Sequence, residues 1–287
     1  MESFARGGVI NGVAPILIWL LVGSPAAAQN PKAKNNLLEN LALCNGSDRA
    51  SPEPQINGCT AVIDSVGSRA PAAAMAYNNR GDAYTAKGDY DRAVQDFDQS
   101  IKLNPTNAKP FNNRGVAYLK KGEYDLAIKN LEEAIRLDPN YAKAFINRAE
   151  TYEKKNAYDL AARDYAEAIR LDPNLKTAWN GRCWTRAILG ELQAALEDCN
   201  KALQSEPTDA TTFDSRGLTY MKMGLFDTAI NDYNSALRLD PKLASALYGR
   251  GLAKRKKGDK LGGDADMSAA KKIHAKIDED FARYGVQ

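Results

Sequence analysis

The usual catalytic chemistries have little to work with in this chain. Histidine occurs once, at His274, so a histidine-based triad or metal cluster would hang on a single residue. None of the four cysteines stands in a C-x-x-C pair, which removes the common zinc and thioredoxin-like arrangements. No glycine-rich phosphate loop follows a strand-like run, and no strand-like run stands out at all. Nor is one sign of charge in excess. The 39 Lys and Arg face 36 Asp and Glu, a formal +3 that gives no electrostatic case for nucleic acid. No apolar run reaches the roughly 20 residues needed to span a bilayer. These absences argue against an enzyme, and the reading expects neither cofactor nor metal.

What the sequence does contain is a period. Prolines fall at Pro71, Pro105, Pro139, Pro173, Pro207 and Pro241, each 34 residues after the last. Arginines keep the same step at Arg80, Arg114, Arg148, Arg182, Arg216 and Arg250. Two ladders in phase are the mark of a stacked repeat array, in which each unit buries its apolar face against its neighbours. With 44% hydrophobic residues the chain can build such a core.

The first 28 residues follow another logic. Arg6, an apolar run from Val13 to Val22, then Ser24, Pro25 and three alanines ending at Ala28 make a secretory signal pattern. Cleavage after Ala28 is expected, which places the mature chain in the periplasm or outside the cell with no membrane span. The cysteines agree with export. Their spacing favours two local bridges, Cys44–Cys59 and Cys183–Cys199, each closing a loop of about 15 residues and worth ~3 kcal/mol in the chain-entropy model. Four buried thiols are the alternative should export not occur.

In chain order, residues 29–36 read as a flexible linker and 37–73 as a truncated repeat that caps the array. Full repeats follow at 74–107, 108–141, 142–175, 176–209 and 210–243, each with two helices. Gly88, Gly122, Gly190, Gly224 and Gly258 recur at the turn between the helices, with Asn156 as the one substitute. Small residues such as Gly81 and Gly217 are expected to face Ala93 and Ala229 across the helix pair. Residues 244–287 hold a degenerate sixth repeat and a last helix carrying Ile273, Ile277, Phe281 and Tyr284. That helix either lies across the final repeat and closes its core or binds a partner.

With an aromatic residue, a small residue, Tyr, Ala, Phe and Pro at fixed offsets, the repeats resemble the tetratricopeptide repeat family over 74–270 in full and 37–73 in part. The Cys-Thr-Ala-Val-Ile stretch and the Asn-Arg-Gly-x-Ala-Tyr helices also resemble secreted alphaproteobacterial members. The resemblance implies an all-α, right-handed superhelical solenoid of antiparallel helix pairs. It further implies a non-catalytic adaptor whose first helices line a concave groove for a peptide or partner protein. A self-associating structural component of the cell envelope is the alternative, and the chain is expected to be a monomer or to self-associate weakly.

One departure stands out. Where the family carries Leu before the small residue, this chain carries Arg in all six repeats, on a face that should be at least partly buried. A buried guanidinium requires a partner. Asp96, Asp164, Asp198, Asp232 and Asp266 share one offset of the second helix, with Asn130 the exception, and an Arg–Asp bridge is expected within or between repeats.

Groove candidates follow from the offsets. Asn79, Asn113 and Asn147 form a ladder whose amides can donate to and accept from a peptide main chain, or can simply be solvated. Lys109 and Lys143 lie one helical turn earlier. Trp184 is either an anchor exposed in the groove or a residue packed on the neighbouring repeat.

Overall fold

The computed structural model describes residues 31–46, 51–67 and 72–286, and within them the chain is helix and turn with no strand. The proposed signal segment, residues 1–28, lies outside the described residues. The chain divides into two compact units, one running to Gly122 and the other starting at Glu123. The division falls inside the repeat 108–141, between its two helices.

The first unit holds α1 (Pro31–Cys44), α2 (Pro52–Val66), α3 (Ala72–Lys87), α4 (Tyr90–Leu103) and α5 (Ala108–Lys121). Helix α1 corrects the linker expected over 29–36, because the chain is helical from Pro31. Proline suits a first helical position, where its missing N–H has no partner to lose. Ser51 caps α2, accepting from the Glu53 N–H. Helices α1 and α2 approach closely at Gly58, where a Cβ would fall 2.5 Å from that of Leu43. Cys44 and Cys59 are joined beside this contact, with a Cα–Cα distance of 4.4 Å and no solvent exposure.

The second unit holds α6 (Tyr124–Leu137), α7 (Ala142–Lys154), α8 (Tyr158–Leu171), α9 (Lys176–Leu189), α10 (Leu192–Ser205), α11 (Ala210–Lys222), α12 (Phe226–Leu239), α13 (Ala244–Lys256), α14 (Lys260–Ile273) and α15 (Ile277–Arg283). Pairs α7/α8, α9/α10, α11/α12 and α13/α14 pack against each other, as α3/α4 do in the first unit.

Turn chemistry sets the period. First helices end with a left-handed residue, Gly122 at φ 81° and Gly190 at φ 86°. Asn156, at φ 59°, is the one non-glycine residue at positive φ among those described. Second helices end on an extended residue whose N–H still reaches back to the last turn. Asp138 (φ −135°, ψ 92°) and Asp240 (φ −132°, ψ 95°) are examples, and the proline that follows each excludes the helical conformation.

The core is built from one large side chain per second helix. Phe97 and Tyr233 are fully buried, and each lies over a glycine of its own first helix. The atoms nearest the missing Cβ of Gly81 and Gly217 belong to Phe97 and Tyr233, at 2.6 Å and 2.8 Å, so these glycines meet the aromatic ring rather than Ala93 or Ala229. Tyr233 is wedged from the other side by Gly249 of the following repeat. In the fourth repeat the same two positions hold Cys183 and Cys199. They are disulfide-bonded at a Cα–Cα distance of 5.3 Å, so a covalent link stands where the first and fifth repeats pack a ring on a glycine.

The expected last helix is two. Helix α14 ends at Ile273, which is half exposed, and His274 adopts φ −135°, ψ 101°, the conformation of Asp240 one period earlier. The repeat boundary thus overrides the continuous apolar spacing. After a short turn α15 begins, with Ile277 and Phe281 buried.

Candidate functional site

The arginine ladder is architectural. Arg80, Arg148, Arg182, Arg216 and Arg250 each clasp the aspartate 16 residues on, and Arg148 is typical, with Nε donating to Asp164 Oδ2 at 2.7 Å and Nη2 to Oδ1 at 2.8 Å. Arg114, in the repeat that carries Asn130, pairs with Asp98 of the preceding second helix. The guanidinium groups of Arg80, Arg114, Arg148, Arg182 and Arg216 also lie near the aromatic ring three residues before them, Arg182 over Trp179 at 5.0 Å being the shortest such contact, while Arg250 follows Leu247. In the last repeat burial alone would raise the Asp266 carboxyl, but hydrogen bonds from Arg250 and Lys254 outweigh it and hold it below the usual carboxylate range.

With the ladder assigned to structure, the face of the first helices remains. In the first unit Asn113, half-buried on α5, donates to Asn78 Oδ1 at 3.1 Å and Asp82 Oδ1 at 2.6 Å on α3, and accepts from its neighbour Asn112. Asn79 donates to Asn45 Oδ1 at 3.2 Å at the end of the cap. These two asparagines therefore link adjacent helix pairs. Asp82 is raised to about 6 by burial, against the pull of Lys109, which is itself exposed. In the second unit Lys143 is exposed and Asn147 half-buried on α7, with the Asn147 carbonyl accepting from Thr151.

Trp184 is packed, not open. Its ring lies edge-on to Tyr158 at 5.8 Å and to Tyr284 at 5.2 Å. Tyr284 belongs to the segment after α15, and that segment lies on the first helices of the second unit. Phe281 stacks at a tilt on Tyr248 of α13, 4.8 Å between centroids. Lys222 of α11 donates to the carbonyls of Tyr284 at 2.9 Å and of Ile188, in α9, at 3.0 Å. Burial lowers the pKa of this lysine.

Beside Trp184 a cleft of about 270 Å³ is bounded by Glu153, Tyr158, Asp280, Arg283 and Tyr284. Glu153 is half-buried, and Thr185, fully buried, donates to it at 3.0 Å. Burial raises its carboxyl to about 7, against hydrogen bonds from Thr185 and Tyr165, with Glu150 adding to the rise and Lys154 opposing it. Sequence reasoning missed Glu153, although Leu119, Ala187 and Met221 occupy its offset in neighbouring repeats and make a carboxylate there unusual. It also missed Tyr158 and Lys222, whose meeting with Tyr284 depends on the direction α15 takes. Among the described residues no group of three or more His, Cys, Asp or Glu is placed to hold a metal, and no helix is long and apolar enough to cross a membrane.

Paired helices joined by left-handed turns and repeated along the chain define an all-α helical-repeat protein. The chain belongs to the tetratricopeptide repeat family. Models described as TPR repeat match residues 81–122 and 217–258, and those described as tetratricopeptide repeat match 108–141 and 142–175. No curated protein matches the sequence. Among solved structures, a tetratricopeptide repeat protein from Parabacteroides merdae is 17% identical and has a TM-score of 0.66, covering 88% of this chain and 99% of its own. A chain of the APC/C hetero-tetramer Cut9–Hcn1 is 17% identical with a TM-score of 0.62, over 93% of this chain and 51% of that one. YrrB, described as a TPR protein with an unusual peptide-binding site, is 20% identical with a TM-score of 0.50, over 67% of this chain and 96% of its own. At these identities the likeness is one of fold, and the fold is that of the superhelical tetratricopeptide class.

Proposed function

We propose that this protein is a non-catalytic adaptor that binds a peptide segment or partner protein on the concave face of its first helices, after export to the periplasm or beyond. One observation carries the reading: the first-helix face of the second unit holds a polypeptide segment in this structure, the chain's own residues 277–286, through aromatic contacts and a lysine that grips a main-chain carbonyl. That YrrB, of like fold, is described as having an unusual peptide-binding site supports a peptide ligand here.

Asn79, Lys109 and Asn113 in the first unit, and Lys143, Asn147 and Trp184 in the second, are the proposed contacts. The amides suit a main chain, the lysines suit acidic side chains or a carboxylate, and Trp184 supplies apolar area. Export rests on the signal-like start and on two disulfides, which persist in oxidising compartments. The mass of the mature chain tests it, with a start at Gln29 expected.

The binding reading is tested by crosslinked pull-down from the envelope fraction with the mature chain, beside an Asn113→Ala, Asn147→Ala, Trp184→Ala variant. Loss of a specific partner from a still-folded variant is expected. Full retention would exclude the first-helix face.

A further inference from the structure

In the second unit every second helix from α6 to α12 is followed by a first helix packed on it, but the chain after α14 does something else. Helix α15 touches both α13 and α14 only slightly, with Phe281 seated on Tyr248 of α13. The residues beyond it continue over α11 to α9, so ten residues span the first helices of three repeats. A segment whose only duty was to close the core would lie on the open side of α14. This one lies along the face that the fold offers to ligands.

We propose that residues 277–286 are an internal ligand, a tethered occupant of the second unit's first-helix face. A partner segment of like chemistry displaces it: a short amphipathic helix with aliphatic or aromatic side chains at the spacing of Ile277, Phe281 and Tyr284. The inference rests on the binding reading above and specifies its ligand.

The hold on the segment suits exchange. Helix α15 has seven residues, too few to persist alone in water, so it is ordered only while docked. Its apolar grip comes from Ile277, Phe281 and Val286, all buried, with Tyr284 half-buried. The ion pair of Lys271 with Asp278 at 2.6 Å is largely exposed and holds little, and a hydrogen bond joins His274 and Asp280 at 2.7 Å. The occupant also underfills its site. The cleft beside Trp184 is bounded by Asp280, Arg283 and Tyr284 of the segment, and a second cleft of about 490 Å³, between Leu252, Lys256, Lys260, Met267 and Val286, also touches its Asp278 and Ala282. An incoming segment can engage either before the tail leaves. An emptied face would expose Trp184, Tyr248 and Leu252 together, so replacement by an apolar segment is favoured over simple opening.

The test uses a fluorescein-labelled peptide of residues 275–287 and two full-length mature chains, the natural one and a Phe281→Ala, Tyr284→Ala variant. A tethered ligand competes at high effective concentration, so the peptide is expected to bind the variant roughly tenfold or more tightly than the natural chain, by anisotropy. Equal binding, or none, to a variant with natural helicity overturns the proposal. Should the variant lose helicity, hydrogen exchange on the natural chain decides: amides of 277–286 are expected to exchange roughly tenfold or more faster than those of α13, and exchange in step with α13 overturns the proposal. Peptide binding by the variant with no partner captured in the pull-down would keep the internal ligand and remove the adaptor reading. Partner capture with equal peptide binding would do the reverse.

Discussion

Arg216 and Asp232 are joined by two parallel hydrogen bonds, Nε to Oδ2 at 2.7 Å and Nη2 to Oδ1 at 2.9 Å, and the remaining Nη1 of Arg216 donates to Asn200 of the preceding repeat at 2.8 Å. Arg250 repeats the pattern with Asp266 and Asn234. One guanidinium thus fixes the angle within a helix pair and ties that pair to the one before it. The planar fork of arginine makes this possible, and lysine could not reproduce it.

Breaking one partner leaves the other charged in a poorly hydrated site. Asp232→Ala is expected to destabilise the second unit by about 3 kcal/mol, and Arg216→Leu by a similar amount because Asp232 is then unpaired. The double substitution Arg216→Leu, Asp232→Leu should recover most of that loss, since apolar pairs replace buried ion pairs at small cost. Thermal melts of the three variants check this. Additive losses would show that the pair is not coupled.

The disulfides predict a redox dependence of stability. Cys183 and Cys199 are fully buried and their separation of 16 residues corresponds to a contribution of ~3 kcal/mol from loop closure. A Cys183→Ala, Cys199→Ala chain should melt lower than the natural chain under oxidising conditions, and the two should converge in strong reductant.

Much of this architecture was legible because the repeat writes the same instruction several times. The proline ladder places the ends of second helices, and the glycine ladder with Asn156 places the left-handed turns, since few other residues adopt positive φ. A shared offset of 16 residues was enough to expect Arg148 beside Asp164. What stayed hidden depends on direction or on water. The spacing of Ile273, Ile277, Phe281 and Tyr284 suits one continuous helix, and only the extended cap at His274 shows that the period still governs there. Asn113 reads as a ladder amide open to a peptide main chain or to water until it is seen donating to Asp82 and Asn78 on the neighbouring helix.

Tyr233 offers a test of packing against polarity. Its ring fills the space between Gly217 and Gly249, yet its hydroxyl is buried with no hydrogen-bond partner. A buried hydroxyl without a partner costs about 1–3 kcal/mol. Tyr233→Phe keeps the ring and removes that cost, so a melting temperature equal to or above the natural one is expected. Gly217→Ala at the same contact should instead destabilise by about 1–3 kcal/mol, because its Cβ would fall 2.8 Å from the ring.

Glu153 makes stability depend on pH in a direction opposite to that of a salt-bridged carboxylate. Its ordinary value is 4.5, and burial raises it to about 7 in the folded chain. Between those values the folded state holds a proton that the unfolded state has lost. The contribution is therefore complete below about 4.5 and is lost as pH rises through about 7. Asp214, half-buried and accepting from Ser245 at 2.5 Å, is raised from 3.8 to about 7 by burial and acts in the same sense. Each is worth on the order of 3 kcal/mol over the interval. Glu153→Gln presents a neutral side chain at every pH. It is expected to melt near the natural chain at pH 5, above it at pH 8, and to show a shallower fall between the two. A variant that melts lower at pH 8 would mean that the ionised carboxylate is the form the fold prefers, with Lys154 and Arg283 rather than burial governing the site.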